Sequence, residues 1–248
     1  MKNILITGAG SGFGKLSAAL LSERGHLVIA TTETEEQADA LRAELPQLRV
    51  EKLDITSDDV RKVDDWTIDV LINNAGVGET GPIADVPLDR LRRLFEVNVF
   101  GTMAITQAVL KGMVERKSGR VIIMSSIAGV LSAPAFGPYA MTKHALEAMG
   151  KAMRGELAPL GIDVTLINPG PYQTGFNDRM ADSMWEWFSD KSLNGSEAEL
   201  FRIIGSFVTT GQRDPSEVAN RLVELVEADV TTENNFVPVD IREQLNLN

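Results

Sequence analysis

Seven short apolar-rich runs punctuate the chain: ILIT (4–7), HLVIAT (26–31), RVEKLD (49–54), DVLINN (69–74), RVIIMSS (120–126), DVTLIN (163–168) and FVPV (236–239). Most are continuous rather than alternating in hydrophobicity, the pattern of strands buried on both faces of a parallel sheet. Between them, 15–24, the acidic stretch 34–45 ended by Pro46, 88–115, 144–158 and 216–228 carry Leu, Ala, Val and Met at helical spacing. The alternation predicts an α/β fold: a doubly wound parallel sheet of about seven strands between two helical layers. In such a sheet ligands bind beyond the carboxyl ends of the strands, so the residues just after each run are the ones to inspect.

One region breaks the rhythm. Residues 169–214 contain PGPYQTG, MADSMWEWF, NGS and TTGQRDP without a strand of their own, which marks about 172–214 as a substrate loop or lid. No internal repeat or linker divides the rest, so 1–248 reads as a single domain. With 44% hydrophobic and 24% charged residues there is ample material for a core. The net charge of −11 opposes nucleic acid and anionic membrane as partners. The absence of cysteine removes disulfides, thiolate metal sites and a Cys nucleophile, and two histidines, His26 and His144, nearly exclude His triads and His-rich metal sites. At the start, MKNILITGAGSG has an apolar stretch too short for a signal peptide or membrane span, and a cytoplasmic location is expected.

The first run leads into TGAGSGFG, where Gly8, Gly12 and Gly14 precede a predicted helix. Glycines let the chain turn sharply and let a pyrophosphate approach the backbone, and the helix N-terminus offers free N–H groups to the anion. Alone, such a turn is also what convenient glycines make anywhere. YAMTK (139–143) sets a phenol and an ammonium four residues apart, on one face of any helix that passes through it. Lowering a phenol pKa by ~3 units takes ~4 kcal/mol, and a unit charge ~4 Å away at an effective dielectric of ~20 supplies about that. An isolated, exposed pair of this kind would be worth only a few tenths of a kcal/mol.

Taken together, TGxxxGxG, NNAG (73–76), the SS pair (125–126) and YAMTK resemble the short-chain dehydrogenase/reductase family in its single-domain form, from Thr7 to roughly Thr174. The resemblance implies a catalytic set of Asn98 (in NVFG), Ser126 (thirteen residues before the tyrosine), Tyr139 and Lys143, with Ser125 and Ser132 as ordinary serines. Tyr139 would be the general acid/base with its pKa lowered by Lys143, Ser126 would bind the substrate oxygen, Lys143 would also hold the nicotinamide ribose, and Asn98 would fix a water that relays the proton. It implies cofactor contacts from Gly8, Ser11, Gly12, Phe13 and Gly14 in the loop, Asp54 and Ile55 beside the adenine, and Asn74, Ala75 and Gly76 along the middle. Pro169, Gly170 and Thr174 would lie at the nicotinamide. It further implies a homodimer or homotetramer built from the helices near 96–115 and 144–158.

The second run ends in ATTETEE, where an acidic side chain would accept hydrogen bonds from a ribose hydroxyl and repel a 2′-phosphate. Glu33 therefore favours NAD over NADP, although NAD users of the resembling family more often carry Asp one position earlier, where this chain has Thr32. Glu35 and Glu36 suit a solvated helix start. In the lid, Met184, Trp185, Trp187 and Phe188, with Met180, are candidate walls for a hydrophobic or aromatic alcohol/ketone, or equally a stripe packed on the core or on another subunit. The expected function is NAD-dependent hydride transfer with a secondary alcohol or ketone. The alternatives are an NADP-dependent ketone reductase, a non-catalytic dinucleotide-binding regulator and a non-redox enzyme on the same scaffold.

Overall fold

In a computed structural model that describes residues 1–241, seven strands form one sheet: β1 (Asn3–Ile6), β2 (Leu27–Thr32), β3 (Arg49–Lys52), β4 (Val70–Asn73), β5 (Gly119–Met124), β6 (Ile162–Pro169) and β7 (Asn234–Val237). All pairings are parallel, in the order β3-β2-β1-β4-β5-β6-β7. The chain winds outward from β1 to β3, returns to β4 and winds the other way. This leaves a crevice at the carboxyl ends of β1 and β4, the switch point where such sheets bind ligands. β7 sits two residues earlier than FVPV suggests, because Pro238 has no N–H to give the ladder.

Side-chain alternation along each strand sends residues to two separate cores. Ile4, Ile6, Ile72, Ile122 and Ile167 pack under α1 (Gly12–Glu23), α2 (Glu35–Glu44) and α8 (Ser216–Glu227). Leu5, Leu71, Val121, Ile123 and Leu166 pack under α4 (Thr102–Arg116) and α5 (Gly137–Leu157). Burial on both faces is why the strands read as unbroken apolar runs.

α4 continues α3 (Leu88–Phe95) through a π-helical turn at Glu96–Gly101. The combined stretch Leu88–Arg116 is long and apolar enough by composition to cross a membrane, but its Ile105, Val109 and Met113 are buried on the sheet. The YAMTK segment lies in the first two turns of α5, which begins earlier than expected because Pro138 suits an N-terminal helical position.

The lid carries two helices, α6 (Phe176–Ser183) and α7 (Ala198–Thr209). Its two ends meet: Gln173 N–H donates to Arg213 O at 2.9 Å and Arg213 N–H to Pro171 O at 3.2 Å. A second fastening ties its middle to the body. The buried Glu79 carboxylate accepts Trp187 Nε1–H at 3.0 Å and Arg90 Nη1–H at 3.0 Å, and Arg90 also pairs with Glu186. Gly81 lies flat against the Trp187 ring, where any Cβ would collide.

Candidate active site

A cavity of about 770 Å³ opens at the switch point and runs from Glu33, Asp54 and Ile55 past Gly8, Ser11, Gly12 and Phe13, then Asn74, Ala75 and Gly76, to Ser126, Tyr139 and Lys143. Pro169, Gly170 and Thr174 close one side. Gly14 is buried just behind, where a Cβ would lie 2.5 Å from Asn74 Nδ2 and 2.8 Å from Gly8 O. Gly12 adopts φ +54, and a Cβ on it would press on Thr174 at 3.2 Å.

The loop is held from below. The Thr7 hydroxyl accepts the N–H of Asn74 at 3.1 Å and of Ala75 at 3.0 Å, while Asn74 Nδ2 donates to Thr7 O and Gly8 O at 2.9 Å each. The Asn74 side chain thus fixes the glycine turn. Ser11 at the N-cap of α1 makes no side-chain cap bond, and the first turn contains no acidic residue. Those free N–H groups suit an anion. An elongated cavity with an acidic far end and a glycine cradle at its middle fits a dinucleotide.

Glu33 reaches the cavity with its side chain 55% exposed and Arg93 Nη2 3.8 Å away. Thr32 is fully buried and its hydroxyl donates to Thr34 O, so the acidic group here is Glu33 alone. Asp54 Oδ1 accepts the N–H of Thr56 at 2.8 Å and its hydroxyl at 2.7 Å.

At the reacting end, Tyr139 (7% exposed) and Ser126 line the cavity together, close enough for the Ser126 hydroxyl to favour the phenolate. Ser126 also accepts Ala128 N–H at 3.1 Å, and its own donation to Pro169 O is long, at 3.4 Å, so the hydroxyl is loosely held. Lys143 donates to Met124 O at 2.7 Å and stands over the Tyr139 ring, 5.5 Å from its centroid. Here the structure differs from the sequence argument, which has Lys143 lowering the phenol pKa. Burial pushes the Tyr139 phenol up instead, opposed only by the nearby Ser126 hydroxyl, because the ammonium faces the ring and is tied to the strand end. The same burial pushes Lys143 down to about 8, opposed by the Glu147 carboxylate.

Glu147 was not singled out in the sequence. It lies one turn beyond Lys143 on α5, 4% exposed, and accepts Asn168 Nδ2–H at 2.6 Å and Asn234 Nδ2–H at 2.7 Å. Asn168 Nδ2 also donates to Ser126 O at 3.2 Å. The buried anion is therefore linked to both the serine backbone and the lysine charge. Its four-residue step from Lys143 was visible, but the asparagines that bind it come from β6 and β7.

Asn98 (1% exposed) is behind the cavity wall in the π turn. Its Oδ1 accepts Val77 N–H at 2.8 Å, and its Nδ2 donates to Val77 O at 2.9 Å and to the Thr142 hydroxyl at 3.1 Å. The side chain thus shapes the turn after Gly76 and does not line the cavity.

Four proposed substrate residues are not brought to the cavity. Met184 and Phe188 are buried in a satellite core with Ala135 and Phe201, and Trp185 and Trp187 pack against it. The physical reason is the Glu79 fastening, which draws Trp187 inward. The lid instead contributes Phe176, Arg179 and Met180 from α6 and Ile204, Phe207 and Val208 from α7. Phe176 contacts the Tyr139 ring at 5.7 Å between centroids. The helical spacing in FRIIGSFV was the available signal for α7.

The family model described as short chain dehydrogenase matches residues 2–185. The oxidoreductase YusZ of Bacillus subtilis (strain 168) is 36% identical over 240 residues, 90% of this chain and 84% of that protein. The NADPH-dependent 3-dehydrocapnine reductase of Ornithobacterium rhinotracheale is 36% identical over 188 residues, 70% of this chain and 66% of that protein. Among solved structures, a short-chain dehydrogenase from Streptomyces avermitilis is similar with a TM-score of 0.82 at 30% identity, covering 99% of this chain and 95% of that one.

Proposed function

The chain belongs to the short-chain dehydrogenase family, and on that footing we propose that it is an NAD-dependent oxidoreductase interconverting an apolar ketone and its secondary alcohol. The observation that carries this reading is the buried Tyr139 phenol, set beside Ser126 and Lys143 at the apolar end of a cavity whose other end is acidic. A nicotinamide dinucleotide, when bound, supplies or accepts the hydride. Its holders in this chain are the first turn of α1, Asn74 to Gly76, Lys143 and Thr174.

The Ser126 hydroxyl, loosely held, donates to the substrate oxygen and orients it. As the carbonyl carbon becomes a carbinol carbon, Tyr139 passes its proton to that oxygen, and in the reverse direction it takes the proton back. A phenol that burial keeps protonated supports the carbonyl-reducing direction. Lys143, over the ring, offsets the negative charge left on Tyr139. Phe176, Met180, Ile204 and Val208 keep water from the reacting end and support an apolar substrate. The exposed apolar Phe100 and Met141 support a homo-oligomer through these helices.

Glu33 supports NAD, since its carboxylate accepts ribose hydroxyls and repels a 2′-phosphate. A second reading, NADPH, is favoured by Arg93 beside Glu33 and by the NADPH-dependent relative. Mixing the protein with NADH or NADPH and a panel of alkyl and aryl ketones, while following the reduced-nicotinamide absorbance, tests both. Tight binding with no turnover across the panel would favour a regulator instead.

A further inference from the structure

We propose that Arg179 is an anion-binding residue of the lid, receiving the oxygens of a phosphate or carboxylate in the ligands that fill the cavity. The proposal deepens the oxidoreductase reading and rests on it for the nature of those ligands. Arg179 lies three residues after Phe176 on α6, so the two share a face, and Phe176 touches the Tyr139 ring. A helical side chain leans toward the N-terminus of its own helix. The Arg179 guanidinium accordingly turns back over Gly175, where a Cβ would stand 2.9 Å from Nη1 and where φ is +70. Gly175 follows Thr174, which covers Gly12. The cation thus stands between the reacting end and the glycine loop.

Its surroundings are selective. The cavity wall holds four charged residues, with Glu33 and Asp54 at the far end and Lys143 tied to Met124 O. Arg179 alone has no carboxylate within ion-pair distance and no hydrogen-bond acceptor among the described residues. The adjacent Asp178 is occupied by Gln212 Nε2–H at 3.1 Å. Arg179 is exposed at the cavity margin, and the side chains of Phe176, Met180, Ile204 and Val208 on the same lid supply no acceptor, which leaves its fork open to a ligand oxygen. A planar fork of N–H donors matches phosphate and carboxylate oxygens.

The anion has two sources, the pyrophosphate of the dinucleotide and an acidic group on the ketone. Calorimetric titration separates them without requiring turnover. NADH is titrated into the full-length protein and into Arg179→Gln and Arg179→Lys, followed by 2-decanone or 9-oxodecanoate into each NADH complex. The expected result is a loss of about tenfold or more in one anionic ligand's affinity in Arg179→Gln, partly recovered in Arg179→Lys, with 2-decanone unaffected. A loss for NADH assigns the pyrophosphate, and a loss confined to 9-oxodecanoate assigns the substrate. Affinities for both anions within twofold of the parent overturn the proposal, and if neither ketone binds, the NADH titration alone decides it. Binding of NADH and ketone without oxidation of NADH counts against the oxidoreductase reading and leaves the Arg179 result standing.

Discussion

Glu147 accepts a hydrogen bond from Asn168 Nδ2 at 2.6 Å, and through that one amide a buried carboxylate on α5 steadies the carbonyl of Ser126 on the neighbouring strand end. The same carboxylate pairs with Lys151 at 3.8 Å and, one turn from Lys143, works against the burial that lowers the Lys143 pKa. Its removal therefore has a signature in pH. Lys143, held at about 8, must keep its proton to offset charge on Tyr139, so ketone reduction falls as pH rises through that value. Without the anion the ammonium is disfavoured further. In Glu147→Gln the alkaline limb of kcat/KM moves to lower pH by about one unit or more, given the strength of a charge interaction over one helical turn. A limb that stays in place while kcat drops uniformly would make Glu147 a packing residue only.

Tyr139→Phe keeps the ring against Phe176 and under the Lys143 ammonium, and deletes the transferable proton. Ketone reduction is expected to fall by about 10²–10⁴-fold, the usual contribution of a positioned acid, with NADH affinity within about threefold. Stopped assays of NADH oxidation alongside fluorescence titration read both quantities. Activity surviving in this variant would remove Tyr139 from the chemistry.

Glu33 and Arg93 act with opposite signs on the ribose. Glu33→Gln removes a repulsion from a 2′-phosphate, so the ratio of kcat/KM for NADH over NADPH is expected to drop about tenfold at low salt, less at high salt. Arg93→Gln shifts it the other way. Ratios that ignore both substitutions would place cofactor choice elsewhere in the cavity.

Met180 and Trp187 separate cavity wall from lid framework. Met180→Ala enlarges the apolar end and is expected to raise kcat/KM for branched ketones relative to linear ones. Trp187→Ala breaks the bond to Glu79 and empties a packed site, so it is expected to destabilise by ~2–4 kcal/mol while leaving that selectivity unchanged. Thermal unfolding and a two-ketone competition distinguish the two effects.

The sheet was legible because strands buried on both faces cannot hide their hydrophobicity, and each of the seven runs falls on a strand. The glycine loop, Ser126, Tyr139 and Lys143 were legible because they lie at strand ends or within one helix. What the sequence did not yield depends on partners far along the chain. Trp187 was read as a substrate wall, yet its position is set by Glu79, 108 residues earlier. The Lys143 ammonium has its direction set by Met124 O, a backbone group that no residue type announces. Glu147 gains its meaning from two asparagines on β6 and β7.

The Glu79 clasp also separates the lid's anchorage from its exposed rim. Trp187 and Glu186 are pinned to the body near the C-terminal end of α6, while the stretch bearing Phe207, 70% exposed, stands away from that pin on α7. Met180, by contrast, is seated against Gly78, where a Cβ would meet its side chain at 2.6 Å. The side chains that hold the lid, Glu79, Glu186 and Trp187, thus lie outside the cavity lining, so its anchorage can change without altering the wall that meets a ligand.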